Sequence, residues 1–156
     1  DVGAVVAGCG TAGTLMGVTK AVRDAVPDVH VVAVEPEGST FGELFGREPA
    51  EGEYKAEGIG THDVATNELF QPDLVDDLLT IDDRSIHAEM RRLAGEEGHL
   101  AASSAAANSL AAQRVAADIA DGRIDAPHDT VVTVFADSSE RYLSKGVYRS
   151  FDEWQG

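Results

Sequence analysis

The sequence predicts an α/β fold in which a mostly parallel sheet is flanked by helices. An apolar run at residues 2–7 is followed by a glycine-rich turn, and apolar residues at helical spacing come next. Residues 29–34 form a second short run rich in β-branched side chains, so the chain opens with a strand-helix-strand unit. Further strands then alternate with helices, which favours parallel strands joined by helical crossovers.

Helical periodicity recurs in three segments, and each has a stop signal at its end. The residues that define the three apolar faces are Leu15, Val18, Val22 and Val26; Ile86, Met90 and Leu93; and Ala107, Ala111, Val115 and Ile119. Short strands are predicted at residues 77–81 and 130–135. Residues 35–66 show no periodicity, which predicts either a functional loop or a stretch with short elements.

Composition limits the classes of function. The 156 residues suit one domain or a large piece of one, and no apolar run approaches the roughly 20 residues that cross a bilayer. The formal net charge of −16 makes nucleic-acid binding unfavourable and predicts a halophilic surface, with an ordinary acidic cytosolic protein as the alternative. The first residues resemble neither a signal peptide nor a natural start, so we expect a cytoplasmic protein with a segment missing upstream.

The glycine-rich turn, residues 8–14, has three interpretations. Its first six residues fit G-x-G-x-x-G, and Glu35 at the end of the next strand is placed like a ribose-binding acid, which favours an NAD-binding module. The underlying chemistry requires only a phosphate near free amides, and a tight turn without a ligand is the third possibility. The hydroxyls of Thr11 and Thr14 favour a single phosphate monoester over a dinucleotide.

Five segments, in order along the chain, carry a family resemblance. They are Gly10-Thr11-Ala12-Gly13-Thr14, Val34-Glu35-Pro36, Glu57-Gly58-Ile59-Gly60, Arg91-Arg92-Leu93-Ala94 with Glu96-Glu97-Gly98, and the stretch from Asp137 to Ser144. These segments resemble the G-T-G-G-T phosphate loop, the following strand end, the E/Q-G-I-G active-site loop, a helix end and the D-S-x-x-R-Y-L-S turn of the cysteine synthase and cystathionine beta-synthase family. That family consists of pyridoxal-phosphate enzymes of fold type II, so the resemblance implies a tryptophan-synthase-beta-like fold.

Two positions depart from the family pattern. Ala12 stands where the family has glycine, and we expect its φ to stay below zero so that its methyl group clears the phosphate. The family's pyridine-binding serine corresponds to Ser104 when residues are counted without gaps from Gly98, with Ser103 as the alternative. A serine at the start of an alanine-rich helix is also a common N-cap, which is the structural interpretation of both.

The resemblance implies pyridoxal 5'-phosphate as the cofactor, held by Gly10, Thr11, Ala12, Gly13, Thr14 and Ser104, with Gly58, Ile59 and Gly60 facing the substrate. The implied reaction is β-replacement, in which an amino acid and a sulfur nucleophile give cysteine or cystathionine. A serine or threonine deaminase is the alternative within the same chemistry.

The resemblance also implies that the Schiff-base lysine lies upstream, outside residues 1–156. This chain would then be the C-terminal, cofactor-binding portion of a homodimeric enzyme, without a catalytic residue of its own and inactive alone; a degenerate, non-catalytic partner chain is the alternative. Lys20, Lys55 and Lys145 are predicted to be surface charges. Cys9 is predicted to be a buried filler, and the histidine spacings predict no metal site.

Overall fold

The computed structural model describes residues 1–48 and 51–156. Its centre is a sheet of four parallel strands in the order β3-β2-β1-β4. The strands are β1 (Ala4–Gly8), β2 (His30–Pro36), β3 (Asp77–Ile81) and β4 (Val131–Thr133). The predicted fold class is confirmed, and the strand predicted at 77–81 has the predicted bounds.

Three helices connect the strands: α1 (Gly13–Ala25), α2 (Asp83–Glu96) and α3 (Ser103–Ala120). Each corresponds to one of the three predicted periodic segments. The long aperiodic stretch contains short 3₁₀ helices at Phe41–Phe45 and Val64–Thr66, and two more lie at Ser139–Lys145 and Phe151–Glu153 near the end of the chain. In the described ranges, no helix combines the length and apolar character needed to span a membrane.

The core forms on both faces of the sheet because successive strand residues point to opposite sides. Val6, Val32 and Val34 face α2 and α3, whereas Val5 and Val31 face α1. Burying each such valine contributes about 1.5–3 kcal/mol. The alanine-rich face of α3 is fully buried, because small side chains allow the helix to pack close to the sheet.

This architecture brings several loops to one edge. All four strands are parallel, so the glycine-rich turn after β1 and the residues after β4 lie at the same carboxyl end of the sheet. The start of α3 reaches this edge too, because the Ala102 N–H donates to the Asp137 carbonyl at 3.2 Å. Ligands of open parallel sheets bind at this edge.

Candidate functional site

The glycine-rich turn leaves a set of backbone amides free. The first hydrogen bond of α1 is donated by Met16 N–H to the Ala12 carbonyl at 2.9 Å. Within residues 1–48 and 51–156, the amides of residues 10–15 make no hydrogen bond to another protein group. Thr11 and Thr14 are exposed beside them and can add hydroxyl donors. Free amides at a helix N-terminus favour an anion, and a phosphate ester fits this donor set.

Ala12 does not have the backbone conformation that we expected. Its φ is +67°, in the left-handed region, so the expectation of a negative φ was wrong. Ala12 is 4% exposed, and its side chain packs with the core on the α1 side of the sheet. The methyl group is accommodated by burial in the core, at the expense of backbone strain.

A second loop, Glu57-Gly58-Ile59-Gly60, covers the glycine-rich turn. The Gly60 N–H donates to the Cys9 carbonyl at 2.7 Å, and a methyl group placed on Gly10 would lie 3.1 Å from the Gly58 oxygen. Gly58 and Gly60 have φ of +81° and +87°, which explains why glycine occupies both positions. We call residues 57–60 the second glycine loop.

The two loops share a cavity of about 560 Å³. The residues that line it are Gly10 and Thr11, Gly58, Ile59 and Gly60, and Thr61, Thr66, Asn67, Glu68 and Leu69. The structure therefore brings five of the nine predicted site residues together around one opening. Of the other four, Ala12 is buried, Gly13 and Thr14 are exposed at the start of α1, and Ser104 lies behind Gly58.

Ser104 is 6% exposed and close to the second glycine loop. A methyl group on Gly58 would lie 3.8 Å from the Ser104 Oγ, so Gly58 is close to both Gly10 and Ser104. Neither serine caps α3, because the N-cap is Ala102 and it provides no side-chain bond. The Ser103 Oγ instead accepts the Glu57 N–H at 2.9 Å, so Ser103 holds the loop and Ser104 faces it.

Some residues of this site gave no recognisable signal in the sequence. The Asn67 Nδ2 donates to the Gly10 carbonyl at 2.8 Å, although no motif marks Asn67. Lys145 forms an ion pair with Glu57, and Lys55 Nζ donates to the carbonyls of Phe151 and Trp154 at 3.2 and 2.7 Å. The prediction of a surface charge was therefore wrong for Lys55, whereas Lys145 is 39% exposed and ion-paired, and Lys20 is exposed as predicted.

Two buried acidic groups lie under the site. Cys9 is fully buried, as predicted. Burial is the main cause of the raised pKa of its thiol, and the nearby Glu35 carboxylate raises this pKa further. Burial also raises the pKa of Glu35, which is 2% exposed, against hydrogen bonds from Ser39 and Thr80 that lower it. Glu35 is thus enclosed in protein, where it is not available to a ribose.

In the part of the chain that the structure describes, no cluster of His, Cys, Asp or Glu forms a metal site.

Comparison with known proteins agrees with this geometry. A family model described as pyridoxal-phosphate dependent enzyme matches residues 1–137. A cysteine synthase from Staphylococcus aureus is 37% identical over 150 residues, which cover 96% of this chain and 44% of that protein. A cysteine synthase from Helicobacter pylori is 36% identical over 143 residues, which cover 92% of this chain and 42% of that protein.

Solved structures give the same result. The O-acetylserine dependent cystathionine beta-synthase from Helicobacter pylori matches with a TM-score of 0.77 and 34% identity, covering 94% of this chain and 44% of that one. The O-acetyl serine sulfhydrylase isoform 3 from Entamoeba histolytica matches with a TM-score of 0.81 and 29% identity, covering 94% of this chain and 41% of that one. The chain thus spans less than half the length of these relatives. The NAD-binding and deaminase alternatives are not favoured, and the chain belongs to the family of pyridoxal-phosphate dependent enzymes.

Proposed function

We propose that this chain is the cofactor-binding portion of a pyridoxal-phosphate enzyme that makes cysteine or cystathionine by β-replacement. The observation that carries the proposal is the set of free amides at residues 10–15, next to a cavity that Gly10 and Thr11 line together with the second glycine loop. The identities with cysteine synthases support the choice of reaction. The substrates would be an O-activated serine and a sulfur nucleophile.

The phosphate of the cofactor would bind at the start of α1. The free amides of Gly13 and Thr14 carry the positive end of the helix dipole, which stabilises a dianion. The exposed hydroxyls of Thr11 and Thr14 can donate to the remaining phosphate oxygens. Gly10 belongs to the same set, whereas Ala12 would act through its left-handed backbone, a conformation found in anion-binding turns.

Ser104 would contact the pyridine nitrogen. A neutral hydroxyl does not keep that nitrogen protonated as a carboxylate would, which favours elimination at the β-carbon over a long-lived carbanion. When bound, the cofactor supplies the electron-withdrawing ring that this chemistry needs. Gly58, Ile59 and Gly60 would face the amino-acid substrate, because they line the same cavity as Gly10 and Thr11.

The covalent anchor of the cofactor would come from the remainder of the enzyme. Lys20 is exposed on α1, Lys55 is held by two carbonyls and Lys145 is paired with Glu57, so none is a free amine facing the cavity. We therefore propose that residues 1–156 form a portion of the enzyme that is inactive alone. The proposal extends to a cytoplasmic homodimer whose net charge of −16 reflects a halophilic surface.

The test compares this chain with the longer enzyme that contains it. With O-acetylserine and sulfide, the longer enzyme should form cysteine and the chain alone should not. Ser104→Asp in the longer enzyme should reduce turnover by about tenfold or more, because a carboxylate changes the charge at the pyridine nitrogen. Ala116→Asp, which adds the same charge at an exposed position of the same helix, is the control and should leave turnover unchanged.

Borohydride trapping of the chain with pyridoxal phosphate adds an independent readout. The exposed Lys20 should react before the engaged Lys55 and Lys145. Turnover by the chain alone, or one stoichiometric adduct at Lys145, would contradict the division of the site between two parts of the enzyme.

A further inference from the structure

The second glycine loop is held from three directions. Its first N–H, on Glu57, donates to the Ser103 Oγ at 2.9 Å, and its last, on Gly60, donates to the Cys9 carbonyl at 2.7 Å. The Glu57 carboxylate pairs with the Lys145 ammonium. Two of the four loop residues are glycines in left-handed conformations, so the loop depends on such contacts to stay in one shape.

The pair between Glu57 and Lys145 joins segments that are 88 residues apart. Their side chains are 28% and 39% exposed, so solvent screens this pair less than it screens a fully exposed one. Lys145 ends the 3₁₀ helix Ser139–Lys145, and the segment just before that helix is hydrogen-bonded to the start of α3 through Ala102 and Asp137. The lysine therefore approaches the loop from a segment attached to the same helix that carries Ser104.

We propose that Glu57 and Lys145 are positioning residues that latch the second glycine loop and hold Gly58 close to Gly10 and Ser104. The inference rests on the proposed function in one respect, since it assigns the loop to the amino-acid side of the site. The phosphate would be held separately, by the amides at the start of α1. Releasing the latch should therefore weaken the hold on the amino acid more than the hold on the cofactor.

Amide hydrogen exchange in this chain tests the latch without any activity. In Glu57→Gln and in Lys145→Met, the Glu57 and Gly60 amides should exchange about fivefold faster, because a partly buried ion pair is lost. The charge exchange Glu57→Lys with Lys145→Glu should restore the rates to within about twofold. The matched control is the exposed pair Asp118 and Arg123, whose substitution by Asn and Met should leave these two amides unchanged.

Kinetics of the longer enzyme test the positioning role. Each single substitution should raise the KM for the amino acid about fivefold, with kcat and cofactor affinity changed by less than about twofold. Unchanged exchange at Gly60, or exchange that stays fast in the charge-exchanged variant, would overturn the latch. Glu57→Gln decides the question if Lys145→Met lowers the yield of folded protein. If the longer enzyme shows no β-replacement at all, the proposed function fails, and the exchange rates still decide whether the latch exists.

Discussion

The Asn67 Nδ2 donates a hydrogen bond of 2.8 Å to the Gly10 carbonyl, while the Asn67 Oδ1 accepts the amides of Leu69 and Phe70 at 3.2 and 3.0 Å. One amide side chain thus joins the glycine-rich turn to the segment of residues 66–69, which also lines the cavity. Its orientation leaves the amides of the turn free for a ligand.

Asn67→Asp should weaken phosphate binding to this chain by about tenfold, since the variant loses the donor to Gly10 and adds a negative charge near the anion. Asn67→Ala should have a smaller effect, because it removes the bond without adding charge. Titration with inorganic phosphate or pyridoxal phosphate, monitored by the NMR chemical shifts of the Thr11 and Thr14 amides, measures the affinity of both variants. Equal affinities in the two variants would show that the added charge does not reach the site.

Much of this fold could be predicted from local patterns, and its deviations have long-range causes. Strand β2 extends to Pro36, beyond the predicted 29–34, because Glu35 and Pro36 pair with Thr80 and Ile81 of β3. Strand β4 is shorter than the predicted 130–135, and the Val134 carbonyl accepts from Asn108 of α3 instead of joining the ladder. Local propensity contains no information about either partner.

The residues of the site also divide into those that the sequence could predict and those that it could not. The glycines of both loops could be identified because glycine is needed for positive φ at Gly58 and Gly60, and for close approach of the second glycine loop at Gly8 and Gly10. Asn67 and Lys145 could not, since their partners Gly10 and Glu57 lie 57 and 88 residues away. The local turn that Asn67 forms with Leu69 and Phe70 contains no information about Gly10.

Ala12 has a strained backbone, and its replacement by glycine tests this. A left-handed conformation costs alanine about 1–2 kcal/mol. Ala12→Gly relieves that strain but loses a buried methyl group and increases the entropy of the unfolded chain. The loss in free energy of unfolding should therefore be smaller in Ala12→Gly than in Ala117→Gly, a control at an exposed position in α3, by about 1 kcal/mol. Denaturant unfolding of both variants measures the difference, and equal losses would contradict strain at Ala12.

The acidic surface predicts that stability depends on salt. A net charge of −16 repels itself at low ionic strength, and the screening length falls from about 8 Å at 0.15 M to about 3 Å at 1 M. The melting temperature should rise between low and molar potassium chloride. Substituting exposed acids by amides, at Asp24, Glu43, Asp73 and Asp129, should reduce this rise because less repulsion remains to be screened. The same rise in both proteins would assign it to a general effect of salt on burial.

The buried carboxyl group of Glu35 should make the stability of the fold depend on pH, and its burial determines the sign of this dependence. Its Oε2 is buried without a hydrogen-bond partner in the described part of the chain, and burial raises the pKa of the carboxyl group. The pKa of Glu35 is higher in the folded chain than in the unfolded chain. The cost of burying the charged carboxylate is therefore absent below the unfolded pKa, and it grows as the pH rises through the folded pKa. Glu35→Gln should therefore match the native chain near pH 4 and exceed its free energy of unfolding by about 1 kcal/mol at pH 7. Denaturant unfolding across this range measures the difference, with the exposed Glu43→Gln as a control that changes net charge equally. If the free energy of unfolding of Glu35→Gln instead fell relative to that of the native chain toward neutral pH, the Glu35 carboxylate would be stabilised in the folded protein.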